Sequence, residues 1–162
     1  MLNKATAGGG NLLLNIGPKP EGSVPEEAVE PLTKVGQWLE ENGKAVYGIK
    51  KKSSINANGV CGSSWNGEKK VYIWNWIWPK KGQLGLGGFM TAVNSIKVVN
   101  TNTPLEFEQK GHRIILKNLP DTSPDKIANI VVLEMEFDEI PEFKWCTYYP
   151  QLHGGVDLKN PR

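Results

Sequence analysis

The chain has little of what most catalytic and binding signatures are built from. It holds two cysteines, Cys61 and Cys146, and two histidines, His112 and His153, in 162 residues. No C-x-x-C occurs, and no His/Cys/Asp/Glu spacing suits a metal. The two cysteines could pair, or could equally stand as buried free thiols. There is no G-x-S-x-G and no N-x-Ser/Thr acceptor site. No apolar run approaches membrane-spanning length; Leu12–Ile16 is far too short. No secretory leader is evident. The formal net charge is only +2 and the tightest basic run is Lys50-Lys51-Lys52, which argues against a nucleic-acid partner. Neither membrane nor nucleic acid is therefore expected. What remains is a globular composition, 39% hydrophobic and 22% charged, sufficient for one ordinary core.

The first 45 residues differ in character from the rest. Leu12-Leu13-Leu14-Asn15-Ile16 is a continuous apolar run between Gly8-Gly9-Gly10 and Gly17-Pro18. That pattern predicts a strand buried on both faces, as in a parallel sheet. Ser23-Val24-Pro25-Glu26 reads as a capping box with proline in the first turn. Ala28, Leu32, Val35 and Leu39 then recur at helical spacing, and Gly43 stands where a C-cap belongs. The spacing predicts a helix over Ser23–Asn42, kinked near Glu30 by Pro31. One strand and one helix are half of a parallel β/α layer, and no second helix of similar quality follows.

From Ala45 short β-rich runs alternate with Gly, Asn, Pro and Ser clusters. Eight strands are predicted: Val46–Ile49, Ser63–Trp65, Lys69–Trp78, Gln83–Leu86, Val93–Val99, Leu105–Gln109, Arg113–Lys117 and Ile130–Phe137. Turn signals are Asn66-Gly67, Lys81-Gly82 and Lys110-Gly111. Such spacing suggests an antiparallel sandwich. The stretch VYIWNWIWP stands apart. Tyr72, Trp74, Trp76 and Trp78 alternate, so a regular strand would carry them on one face, while Val71, Ile73 and Ile77 make the other face apolar as well. Both faces need cover, or the ring row is a platform for sugars.

The carboxylates offer no clear acid/base pair. Glu26/Glu27 and Glu40/Glu41 fall on the predicted helix, where adjacent residues diverge, and Asp138/Glu139 open the tail. Glu134 and Glu136 alternate with Met135 and Phe137, the pattern of a half-exposed strand. His112 belongs to a hairpin turn, and GQLGLGG (Gly82–Gly88) lacks the strand–turn–helix context of a phosphate loop. The tail beyond Phe137, with Trp145, Tyr148, Tyr149 and His153, is less regular.

GGNLLLNIGPKPEG and KVGQWLEENGKAVYG strongly resemble the end of the catalytic barrel in family 29 glycoside hydrolases, the α-L-fucosidases. KKVYIWNWIWP, GQLGLGGF, VNSIKVV, LEFEQKGHRIILKNLP and IANIVVLEMEF follow in the order of that family's C-terminal β-sandwich. The resemblance covers about residues 8–137. It implies a mainly β fold: an antiparallel β-sandwich preceded by a strand–helix remnant of a (β/α) barrel. It implies a terminal β/α unit over 1–45, the sandwich over 46–137, and a tail over 138–162 packing on the sandwich. In the whole parent it implies retaining hydrolysis of terminal α-L-fucose from glycans by two carboxylates, with no cofactor and no metal. Parents of this family are often secreted, periplasmic or lysosomal.

The family's nucleophile and acid/base residues lie upstream of the matching segment, so no catalytic residue is assigned and this chain alone is expected to be inactive. The sandwich would be accessory, its partners the parent's barrel and, through it, a fucosylated glycan. Pro31 and the long tail depart from the family pattern. Trp78 before Pro79 matches the family's usual strand end. The most economical reading buries one face of the aromatic strand in the sandwich core and covers the other by the barrel side or the tail. The alternative is a stand-alone carbohydrate-binding module stacking sugars on Trp74, Trp76 and Trp78. Apolar surface left bare would favour self-association; a clean monomer in light scattering would count against it.

Overall fold

A computed structural model describes residues 1–50, 61–79 and 82–143. Lys51, Lys52, Lys81, Trp145, Cys146, Tyr148, Tyr149 and His153 lie outside the described residues. So do the pairing of Cys61 with Cys146 and most of the expected tail. Two helices come first, α1 (Leu2–Ala7) and α2 (Glu26–Asn42), and a single 3-10 turn over Gly43–Ala45 closes the second. Among the described residues seven strands follow: β1 (Cys61–Trp65), β2 (Lys70–Asn75), β3 (Leu84–Gly87), β4 (Val93–Val98), β5 (Glu106–Lys110), β6 (Arg113–Lys117) and β7 (Val131–Phe137). They form two antiparallel sheets, ordered β1-β2-β7-β4 and β3-β6-β5. The fold is mainly β, an antiparallel β-sandwich preceded by the helical segment.

Alternation places the inner faces. Val71 and Ile73 of β2, Leu133 and Met135 of β7, Ile96 of β4 and Ile114 and Leu116 of β6 meet in one buried core between the sheets. β2, β4 and β7 of the four-stranded sheet each have an apolar inward set, and a one-residue slip would turn that set to the outside. In β4 the register shifts between Val93 and Ser95, a bulge that lets Val93 and Ile96 both face inward. The β1–β2 turn is tied by Asn66, whose Oδ1 accepts the amides of Glu68 (2.9 Å) and Lys70 (3.2 Å), with Gly67 at φ +83°. Gly111 and His112 make the two-residue β5–β6 turn, Gly111 at φ +56°.

Five local expectations change. Residues 12–16 form no strand; Leu13 is 92% exposed. A parallel strand exists only against parallel neighbours, and both sheets described here are antiparallel. The capping box does not form: Pro25 is the N-cap, and the Ser23 hydroxyl donates to Glu21 instead, at 2.8 Å. Helix α2 then runs without a break through Pro31. Gly43 keeps right-handed angles, so the helix tightens into the 3-10 turn rather than ending at a left-handed cap. Val46–Ile49 is a turn, not a strand. The Gly43 carbonyl accepts the amides of both Val46 and Tyr47, and Gly48 at φ +74° reverses the chain.

Candidate functional site

β2 is the central structural fact of the molecule because both of its faces are filled. Val71 and Ile73 belong to the inner core. Tyr72 and Trp74 point the other way, into a second cluster with Trp38 of α2, Ala45, Val99 and Val132. Leu39, Val46, Ile49, Ile127 and Ile130 pack around it. Helix α2 and the turn after it therefore lie on the outer face of the four-stranded sheet. The Trp38 and Trp74 rings meet at 5.1 Å between centroids, tilted by 43°. Such aromatic pairs contribute about 0.5–1.5 kcal/mol beyond their area.

Each ring also has a polar handle that must be satisfied when buried. Trp38 Nε1 donates to the Ile130 carbonyl at 3.2 Å. Trp74 Nε1 donates to Ser64 Oγ at 3.0 Å, and Ser64 in turn donates to the Ala45 carbonyl at 2.7 Å. That relay links β2, β1 and the end of α2. Asn42, also buried, donates to the Trp38 carbonyl at 3.2 Å.

The same outer face turns polar toward its other end. Glu134 of β7, only 2% exposed, lies between Lys70 (3.2 Å) and Lys97 (3.4 Å) on the flanking strands. Lys70 also reaches Glu136 at 4.0 Å. Burial alone would raise the Glu134 carboxyl. The hydrogen bond and charge of Lys70, joined by Lys97, outweigh it and hold the group below the usual carboxylate range. Burial, then the neighbouring Glu134 charge and hydrogen bond, push the Tyr72 hydroxyl up to about 12. Glu134 is thus buried rather than on a half-exposed strand. With Lys70 and Lys97 it serves as the central charge of a three-strand ion network.

The aromatic row does not persist. β2 ends at Asn75, whose Oδ1 accepts the Ile77 amide at 3.2 Å and bends the chain away. Trp74 is 2% exposed, so its face cannot meet a sugar. Trp76 is 38% exposed and approaches Gly62 so closely that a Cβ there would lie 2.6 Å from its ring. Trp78 packs on the inner core and donates Nε1 to the Pro120 carbonyl at 2.7 Å. The three tryptophans expected to form one stacking surface therefore occupy three different environments. The remaining acidic pairs stay apart from any shared site. Glu26 and Glu27 open α2, Glu41 accepts from Asn100 Nδ2 at 3.4 Å, and Asp138 accepts from Asn94. Among the described residues no group of three His, Cys, Asp or Glu could hold a metal, and no helix is long and apolar enough to cross a membrane.

One buried group had no sequence signal strong enough to single it out. Asp125 is 1% exposed in the loop before β7. Its carboxylate accepts three backbone amides: Ile127 at 3.0 Å, Ala128 at 3.2 Å and Ile130 at 2.7 Å. The only hint is the Ser-Pro-Asp start of a loop that ends at Asn129, which stands at φ +55°.

The described residues thus form a two-sheet sandwich carrying a helix on one outer face. The family model for α-L-fucosidase matches residues 1–44, which is the helical segment and its lead-in. Among curated relatives, the plasma α-L-fucosidase of Homo sapiens is 35% identical over 119 residues, covering 68% of this chain and 26% of the relative. The α-L-fucosidase of Branchiostoma floridae is 38% identical over 131 residues, covering 78% and 29%. Among solved structures, the α-L-fucosidase from Vibrio sp. strain EJY3 superposes with a TM-score of 0.75 at 20% identity, over 88% of this chain and 26% of that one. Isoenzyme 1 from Paenibacillus thiaminolyticus gives 0.72 at 20% identity, over 84% and 32%. The chain belongs to the α-L-fucosidase family, family 29 of the glycoside hydrolases. It spans about a quarter of the length of the curated relatives it matches.

Proposed function

We propose that this chain is the accessory part of an α-L-fucosidase and does not itself carry the chemistry. The whole enzyme would remove terminal α-L-fucose from glycans by a retaining mechanism, its two carboxylates on the barrel. The observation that carries this reading is the union of the family-matched helix α2 with the sandwich through Trp38, Trp74 and the Ser64 relay. A helix so fixed has one face on the sheet and another turned outward. Val29 and Val35 on α2, and Leu13 and Leu14 before it, are exposed. That outward apolar set fits a barrel neighbour as partner, and in its absence favours self-association.

The buried carboxylate supports the same reading. Glu134 is neutralised by two lysines and lies against Tyr72, a structural role rather than an acid/base one. The test is hydrolysis of para-nitrophenyl α-L-fucoside by the purified chain. No release above buffer is expected; measurable turnover that survives repurification would overturn the accessory reading. Light scattering across a concentration series should show association, and a monomer throughout would remove the outward-patch argument.

A further inference from the structure

The helix α2 is received on the sandwich by a specific loop, and one buried carboxylate shapes it. Ser123–Ile130 runs from the β6 side of the molecule to the start of β7. Ile127 and Ile130 pack against the outer cluster that holds Trp38. The Ile130 carbonyl accepts Trp38 Nε1. Asn100, at the end of β4, donates Nδ2 both to Glu41 of α2 (3.4 Å) and to the Pro124 carbonyl (3.3 Å). Helix and loop are thus tied at two points about a turn of α2 apart.

Asp125 holds that loop in shape. A buried carboxylate accepting three backbone amides is a strong local organiser, because each of those N–H groups would otherwise lose its partner. The amides it binds include that of Ile130, the residue whose carbonyl receives Trp38. The Ser123 hydroxyl donates to the Asp125 carbonyl (3.1 Å) and Lys126 Nζ donates to the Ser123 carbonyl (2.8 Å), closing the loop on itself. None of the hydrogen bonds made within the loop by Asp125, Ser123 and Lys126 uses a residue of α2.

We propose that Asp125 is the positioning residue of a socket on the sandwich whose occupant is helix α2 of this chain. Its task is to fix the family-matched segment on the sheet, so that the sandwich sets where the end of the barrel stands. This rests on the accessory reading for its purpose, but the docking itself is read on the chain alone, without any activity.

The experiment is amide hydrogen exchange, followed by peptide mass spectrometry, on the full chain and on Asp125→Ala. Exchange is expected to rise by about tenfold or more both in 126–130 and in α2, while β5 and β6 keep their protection. Asp125→Asn, which keeps the shape and one acceptor oxygen, should show the same pattern more weakly and serves if the alanine variant does not fold. Asn100→Ala should loosen α2 and leave 126–130 unchanged. Faster exchange confined to 126–130, with α2 as in the parent chain, would overturn the socket. Equal loosening of α2 and of both sheets in Asp125→Asn would also overturn it, since Asp125 would then support the whole sandwich. A failure of the fucoside assay to behave as expected leaves these exchange patterns unaffected.

Discussion

The two faces of β2 solve the same problem by different means. Inward, Val71 and Ile73 join an apolar core, and cohesion comes from packing between two sheets. Outward, Tyr72 and Trp74 meet a helix, and every ring carries a hydrogen bond or a neighbouring charge. The inner contact specifies that the strands form a sandwich. The outer contact specifies where α2 rests on it. Aromatic rings with polar handles suit the second task, because they bury large area and still demand one orientation.

The largest effect should come from the inner core. Phe137→Ala removes a fully buried ring from β7 and should cost about 3–5 kcal/mol, lost in one transition by denaturant. Glu134→Ala comes next, at about 1–3 kcal/mol, because charge-assisted bonds to Lys70 and Lys97 disappear from three adjacent strands. If instead it changes nothing, the ion network is ornamental and the outer face is held by the helix alone. Trp38→Phe should cost about 1 kcal/mol, the hydrogen bond to Ile130 and part of the ring contact. It should loosen α2 and spare the inner core; a uniform loss across the chain would erase the distinction between the two faces.

Two pH effects sharpen it further. The Glu134 carboxyl is held low in the folded chain, so its contribution is complete above the ordinary carboxylate range and fades as pH falls through the lowered value. Glu134→Gln should flatten that acid limb. Tyr72 is raised to about 12, so its contribution is complete below the ordinary tyrosine value of about 10 and is lost as pH rises toward 12. Tyr72→Phe should remove that alkaline loss, measured as thermal midpoint against pH. The smallest effect belongs to Glu108 on the far sheet. Lys110 and Lys117 lower its carboxyl to about 2, yet it is solvent-facing, and Glu108→Gln should leave the midpoint unchanged.

The inner face was readable in the sequence because alternation carries it. Every strand from Ser63 to Phe137 falls within two residues of its expected span, except that the aromatic strand ends at Asn75 instead of running on to Trp78. The outer seam was readable only in part. The parity of Tyr72 and Trp74 opposite Val71 and Ile73 was plain, and so was the amphipathic helix. Which surface covers the rings depends on Trp38, and nothing local marks it as their partner. The stop at Asn75 depends on a side chain bonding its own backbone two residues on, an event that composition does not reveal. The segment 12–16 read as a strand because its composition suits one, yet a parallel strand needs neighbours to pair with. Asp125 went unmarked because a carboxylate in a Ser-Pro-Asp loop reads as solvated turn unless its three amide partners are seen.

The claim that Tyr72 and Trp74 lie in a buried seam, not on an open platform, meets its most direct test in oxidative footprinting of the tryptophans. The folded chain is exposed to a brief pulse of hydroxyl radicals, and each tryptophan is read by peptide mass spectrometry. Trp76 should react readily, with Trp38 and Trp74 near the unreacted baseline until the chain unfolds. Modification of Trp74 at the rate of Trp76 would show an exposed ring row and contradict the account.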